Sequence, residues 1–269
     1  MAIPNRSMLA AVAGLLFATE VLGQACPAPQ RLDFEVVRKV ERKETGFTQG
    51  LEVREGRLLE GTGSIGGSTR LNVIDPATGQ VHRIVDVGTE VFGEGITVLK
   101  GELFQLTWQD GIVFVRDLQG RVLRQMRNTR EGWGLTNDGE NLIFSDGSGS
   151  LFVADPKTFA IKREIPVRAA TPNPIQGINE LELVGGKVLA NLFTTWTIIR
   201  IDLATGCVDA FSDLRGLLEQ MDPQERAELA ADTNNVLNGI AYDQRTDTYF
   251  ITGKRWRSIF AGRFRAAAP

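Results

Sequence analysis

The sequence predicts an all-β fold, a five-bladed β-propeller with one helical insertion between the fourth and fifth repeats. Three observations predict it: a cassette that recurs five times, period-two strands between the copies, and one interval long enough to hold a helix. The cassette sets a polar or aromatic residue beside glycine or glutamate and just ahead of a large aliphatic. The copies are Phe47-Thr48-Gln49-Gly50-Leu51, Phe92-Gly93-Glu94-Gly95-Ile96, Gly132-Trp133-Gly134-Leu135, Gly177-Ile178-Asn179-Glu180-Leu181 and Val236-Leu237-Asn238-Gly239-Ile240. Spacings between the aliphatic residues are 45, 39, 46 and 59, the range of repeated four-stranded blades. With each copy at the inner entrance of its blade, Gln49, Glu94, Trp133, Asn179 and Asn238 converge on one central mouth. A carboxylate, amides and an aromatic so gathered are the makings of an active site.

The strands between cassettes are read from alternation and turn chemistry. In Leu135-Thr136-Asn137-Asp138-Gly139-Glu140-Asn141-Leu142, Asp138-Gly139 supplies the positive φ of a tight hairpin. Further strands end on Asp75, Asp117, Asp155 and Asp202 and then turn, so these four aspartates are turn formers rather than catalysts. Asp33 to Val40 alternates ahead of the first cassette and is placed beside the C-terminal strands, closing the ring without a free edge. In the long fourth interval, Asp222-Pro223 sets an N-cap and a proline at the first helical position, followed by the helix formers Gln224 to Ala230.

The chain has 269 residues. Arg6 precedes an apolar run from Met8 to Phe17, extended by Val21 and Leu22 and interrupted at Glu20; the run is too short to span a membrane and reads as a secretory signal over residues 1–23. Gly23-Gln24-Ala25-Cys26 is a poor lipoprotein signal. Residues 24–269 then suit a single propeller domain, exported to a periplasm or the medium, without stable membrane insertion. A formal net charge of -3 gives no electrostatic reason to expect nucleic acid or an anionic membrane as partner. Two cysteines, Cys26 and Cys207, are either independent thiols or, after export, one disulfide tying the mature N-terminus to the Thr205-Gly206-Cys207 turn.

The single histidine, His82, lies in a strand pattern, and no serine has a nucleophile-elbow context, so a Ser-His-Asp or Cys-His device would rest entirely on that one residue. An oxygen-only metal site from Glu94, Asn179 and Asn238 is conceivable at a propeller mouth, but no ligand spacing argues for it. Glu94 between Gly93 and Gly95 is displayed in a tight loop, and its alternative is an ordinary exposed carboxylate. Trp133, between Gly132 and Gly134, belongs to a loop rather than a packed strand. Lys254, after an apolar strand and Gly253, is either a mouth residue or a solvated lysine.

At these residues the chain resembles the plant and bacterial type of glutaminyl-peptide cyclotransferase. The resemblance runs from Gly46 to Trp256. It is carried by Phe47-Thr48-Gln49-Gly50-Leu51, Phe92-Gly93-Glu94-Gly95, Leu106-Thr107-Trp108, Glu131-Gly132-Trp133-Gly134-Leu135-Thr136, Ser145-Asp146-Gly147-Ser148, Ile178-Asn179-Glu180-Leu181-Glu182, Asn235-Val236-Leu237-Asn238-Gly239-Ile240-Ala241 and Thr252-Gly253-Lys254. The ordered set is highly specific. It implies a five-bladed propeller that converts the N-terminal glutamine of peptides to pyroglutamate with loss of ammonia, without a cofactor; a monomer is expected separately. It also implies that Glu94 transfers the proton, that Gln49, Asn179 and Lys254 are the polar catalytic residues, and that Phe47, Phe92, Trp108 and Trp133 form the pocket. Phe193 joins the expected pocket wall where the family tends to have tryptophan, with Thr194 for an amide and Trp196 for an acid. Gly63-Ser64-Ile65-Gly66-Gly67-Ser68 stands where the family often shows Gly-x-Tyr-Gly-x-Ser.

These residue types suit that reaction. The substrate's own α-amine, with a pKa of about 7.7 to 8.0, attacks its own side-chain amide, so no enzyme nucleophile is needed. A carboxylate among aromatic rings has its pKa raised and can pass the amine proton to departing ammonia. Each well-placed oxyanion donor contributes on the order of 3 kcal/mol. Two competing readings stay open: a metal-dependent lactonase-like hydrolase, and a noncatalytic propeller that binds peptides through its mouth.

Overall fold

The computed structural model describes residues 25–64, 67–171 and 173–267; the expected leader over residues 1–23 and the position of Ile65 lie outside them. The fold is all-β. After β1 (Gln30–Glu41) come β2 (Thr48–Arg54), β3 (Arg57–Thr62), β4 (Thr69–Ile74) and β5 (Val81–Gly88), which form one four-stranded sheet in that order. A second sheet is β6 (Gly93–Leu99), β7 (Glu102–Thr107), β8 (Ile112–Arg116) and β9 (Val122–Arg127), and a third is β10 (Leu135–Asn137), β11 (Leu142–Ser145), β12 (Ser150–Ala154) and β13 (Ile161–Pro166). The remaining strands are β14 (Ile178–Val184), β15 (Lys187–Leu192), β16 (Thr197–Asp202), β17 (Val208–Asp213), β18 (Leu237–Asp243), β19 (Thr248–Gly253) and β20 (Ser258–Ala266). They join with β1 into one eight-stranded sheet ordered β14-β15-β16-β17-β1-β20-β19-β18. Within it β1 runs antiparallel to β20 along Leu32 to Glu41, while its first residues, Gln30 and Arg31, pair in parallel with Ala210 and Phe211.

Each cassette lies at or just ahead of the start of β2, β6, β10, β14 or β18, each of which leads a run of four hydrogen-bonded strands, a quartet, the last completed by β1 within the eight-stranded sheet; these first strands touch in a circuit, β2 beside β6, then β10, β14, β18 and back to β2. The cassette glycines allow this approach. A Cβ on Gly50 would lie 2.5 Å from Ile96 N, one on Gly95 2.5 Å from Leu135 N, and one on Gly134 2.0 Å from Asn179 O, distances only a glycine tolerates. Apolar residues then fill the wedges between neighbouring quartets. Leu106 and Val115 meet Leu142 and Phe144; Ile143 and Val153 meet Ile178 and Val188; Leu51 and Leu58 meet Phe250 and Ile259.

The turns follow the aspartates. Asp75 Oδ1 accepts from Ala77 N and Thr78 N, Asp117 from Gln119 N and Arg121 N, Asp155 from Lys157 N and Thr158 N, and Asp202 from Thr205 N. Between β17 and β18 a 3-10 turn over Arg215–Gln220 precedes α1 (Pro223–Ala230), whose cap Asp222 accepts from Gln224 N at 2.8 Å. Glu225 on α1 is buried and accepts from Arg257 N, Ser258 N and Ser258 Oγ, which clamps the helix to the start of β20.

Two devices hold the chain ends to the ring. Cys26 and Cys207 form a disulfide with Cα atoms 5.4 Å apart across 181 residues of sequence; closing so long a loop constrains the unfolded chain by about 5 kcal/mol in the chain-entropy account. Just past β1, the buried Arg42 guanidinium pairs with Glu60 of β3 and donates to Thr48 Oγ1, Thr252 Oγ1, Trp256 O and Gly253 O. This bonds the last quartet to the first. Among the described residues no helix is long and apolar enough to cross a membrane.

Candidate active site

The polar slot of the cassette is a β-bulge. Pairing of β2 with β3 slips between Thr48 and Gly50, of β6 with β7 between Gly93 and Ile96, of β14 with β15 between Ile178 and Leu181, and of β18 with β19 between Leu237 and Ile240. Gln49, Glu94, Asn179 and Asn238 are therefore left out of the ladder, the last three together with Gly95, Glu180 and Gly239, and a bulge re-aims its side chain. In the third quartet Trp133 takes the corresponding place just ahead of β10, with its N–H on Ser145 O and its carbonyl on Gly95 N. Ser145 Oγ accepts from Gly134 N and donates to Asn179 O, which fixes the next cassette relative to this one.

Three of the four bulged side chains and Trp133 reach a cavity of about 240 Å³ at one end of the circuit, lined by Phe47, Gln49, Phe92, Glu94, Trp108, Trp133, Asn179, Phe193, Asn234 and Lys254. All nine catalytic and pocket residues expected from the sequence border this one space. Asn238 does not. It lies wholly buried behind Gln49, and it is part of a strand rather than a turn residue. Asn234, brought to the rim by the connection after α1, was not anticipated; no local pattern distinguishes it. His82 is exposed on β5, away from the cavity.

The wall is a continuous belt. Trp108 meets Phe92 edge-on at 5.6 Å between ring centres, and Phe92 meets Phe47 at 6.2 Å. Lys254 Nζ lies 5.0 Å from the Phe47 ring centre and 4.6 Å from that of Phe193, a cation between two π faces. Phe193 in turn meets Trp133 at 5.4 Å. The belt closes on Glu131, whose Oε2 accepts from both indoles, Trp108 Nε1 at 2.8 Å and Trp133 Nε1 at 3.0 Å, while Oε1 accepts from Gln109 Nε2. The sequence gives Glu131 only as a neighbour of Gly132; its function as a clasp depends on two tryptophans arriving from different sheets. Trp196 is not in the belt. It stacks on Trp256 at 5.3 Å in the adjoining core, so the position where the family tends to place an acid is used here for packing.

Glu94 lies at the base, 5% exposed, and Gln49 Nε2 donates to its Oε1 at 2.8 Å. Burial raises its carboxyl well above the usual carboxylate range, the Lys254 charge opposes that rise and the Glu131 charge adds to it. Burial also depresses the Lys254 ammonium to about 8, against the opposing pull of Glu94. Glu131 stays below its usual value: burial pushes it up, but hydrogen bonds from Gln109, Trp133 and Trp108 outweigh that. The cavity thus holds a carboxyl group and an ammonium group whose affinities for a proton are drawn toward neutrality from opposite sides. Among the described residues no group of three or more His, Cys, Asp or Glu is placed to hold a metal ion.

A family model for glutamine cyclotransferase matches residues 8–264. The chain belongs to that family. It is similar to the glutaminyl-peptide cyclotransferase of Arabidopsis thaliana, 32% identical over 243 residues that cover 88% of this chain and 72% of the relative. The crystal structure of Myxococcus xanthus glutaminyl cyclase superposes with a TM-score of 0.78 at 30% identity, covering 89% of this chain and all of that one. A luciferin-regenerating enzyme matches with a TM-score of 0.50 at 12% identity, over 84% of this chain and 82% of its own, a likeness of fold alone. For a glutamine cyclotransferase family member, the belt and the buried Glu94 are the features from which a reaction is to be derived.

Proposed function

We propose that this protein converts the N-terminal glutamine of peptides or proteins to pyroglutamate with release of ammonia, with Glu94 carrying the proton. The observation that supports this best is a buried carboxylate, held by Gln49, facing a cavity of about 240 Å³. That volume is below the roughly 300–1,000 Å³ of sites for drug-sized ligands and suits one terminal residue. The relatives that match along most of the chain are named for this reaction.

In this reading the aromatic belt holds the aliphatic part of glutamine and excludes water, which favours the cyclic pose. The α-amine nitrogen bonds to the side-chain amide carbon, and Glu94 takes a proton from that nitrogen. Lys254, Gln49 and Asn179 stand where donors can stabilise the resulting oxyanion. As the carbon–nitrogen bond of the amide breaks, Glu94 returns the proton and ammonia departs, so atoms and charge balance without a cofactor.

The five quartets, with β1 completing the last, support a five-bladed propeller of residues 24–269 with a helical insertion ahead of the fifth blade. The disulfide is compatible with an exported protein, in line with the reading of residues 1–23 as a secretory signal, and we take the working form to be a monomer. A coupled assay for ammonia released from a Gln-initiated dipeptide tests the activity directly; a folded wild-type protein that releases none would refute it.

A further inference from the structure

Asn238 is wholly buried and does not line the cavity of the site, yet its side chain is tied to the catalytic carboxylate through one intermediary. Asn238 Nδ2 donates to the backbone carbonyl of Thr48 at 2.9 Å and to Gln49 Oε1 at 3.3 Å; Gln49 Nε2 then donates to Glu94 Oε1 at 2.8 Å. The direction of this chain is not arbitrary. Thr48 O can only accept, so the Asn238 amide must present its NH₂ there, and Gln49 is left to present its oxygen to Asn238 and its NH₂ to Glu94. Among the described residues Asn238 Nδ2 is the donor that Gln49 Oε1 accepts from. The bulge that carries Asn238 is itself anchored, with Gly239 N donating to Asn191 Oδ1 at 3.0 Å and Ile240 N to Glu180 Oε2 at 2.8 Å.

We propose that Asn238 is a positioning residue that fixes the Gln49 amide as a donor to Glu94 and thereby keeps Glu94 available as a base in its ionised form. The inference rests on the cyclotransferase reading of the site. A donor on the carboxylate favours its charged form, whereas a reversed Gln49 amide would accept from the protonated acid and favour the neutral one. The charges facing Glu94 are Lys254, on the turn between β19 and β20, and Glu131, ahead of β10. Neither is altered by a change at Asn238, so a shift in the titration of Glu94 on substitution there reports the relay.

The test is the pH profile of kcat/KM for ammonia release, measured on wild type, Asn238→Ala, Asn238→Leu, Gln49→Ala and the corresponding double variants. In Asn238→Ala the acid limb is expected to move up by about one pH unit, so that kcat/KM on that limb falls about tenfold while the plateau falls by about threefold or less. Asn238→Leu, which removes the donor without adding a charge and keeps the approximate size of the side chain, should shift the limb about as far. In the Gln49→Ala background neither substitution at Asn238 should move the limb as it does alone, since the intermediary is gone. An unmoved limb in a folded Asn238 variant, or a shift of equal size without Gln49, would overturn the relay. Wild-type protein that releases no ammonia would instead overturn the cyclotransferase reading itself.

Discussion

The Gln49 side-chain amide donates to Glu94 Oε1 at 2.8 Å across two neighbouring quartets, each residue standing in a bulge at the start of its first strand. Neither strand alone could make this pair. It depends on Gly50 lying against Ile96 N, where a Cβ would come within 2.5 Å, so the same glycine that lets the sheets converge brings the amide to the carboxylate.

In the proposed reaction Glu94 and Lys254 set opposite limbs of the pH dependence. Glu94 must be ionised to take the amine proton, and its carboxyl is raised well above the usual range, so activity should climb with pH at values above those of an ordinary glutamate. Lys254 must be protonated to stabilise an oxyanion and loses its proton near about 8, so activity should decline there. Lys254→Met is expected to remove the declining limb and lower the plateau by about ten- to a hundredfold, read from kcat/KM between acid and alkaline extremes.

Glu131 clasps Trp108 and Trp133 by their indole N–H groups. Glu131→Ala should free both rings and raise KM by about tenfold with a smaller change in kcat, because the clasp shapes the wall rather than the reacting atoms. It also removes a negative charge that raises the Glu94 carboxyl, so the acid limb should move to lower pH. An altered tryptophan emission spectrum in the folded variant checks the loosening independently.

Stability should depend on Glu180. This residue is 1% exposed, accepts from Leu51 N and Ile240 N, and is raised by burial to about 8 from 4.5. A folded-state value above the unfolded one means that its contribution is complete below about 4.5 and is lost as pH rises through about 8. Glu52, raised to about 7, acts in the same direction but is only half-buried, and its share is correspondingly smaller. Urea unfolding should therefore give a lower stability at pH 8 than at pH 5, by on the order of a few kcal/mol. Glu180→Gln loses one acceptor and should be weaker at pH 5 by about 1–2 kcal/mol, yet its stability should fall less between the two pH values.

Much of this arrangement is legible in the sequence because repetition exposes it. The five cassettes mark the first strand of each quartet, and the variable slot within them picks out Gln49, Glu94, Trp133 and Asn179 at the cavity. The turn aspartates and the Asp222-Pro223 helix start are equally local signals, each with its own hydrogen bond in the structure. What sequence does not reveal depends on assembly. That the slot is a bulge requires knowing the pairing of the next strand; that Asn238 stands behind Gln49 while its counterparts face the cavity depends on the approach of β18 to β2. Glu131 becomes a clasp only when two indoles meet it. The exchange of an acid for Trp196 is intelligible only beside Trp256, on which it stacks.

Ammonia release from a Gln-initiated dipeptide by wild type and Glu94→Gln tests the central claim most directly. Glutamine at this position keeps the size of the side chain and can still accept from Gln49, but cannot exchange a proton. The account predicts a folded variant with its thermal transition near that of wild type and turnover reduced by at least about a hundredfold. Turnover equal to wild type would contradict it.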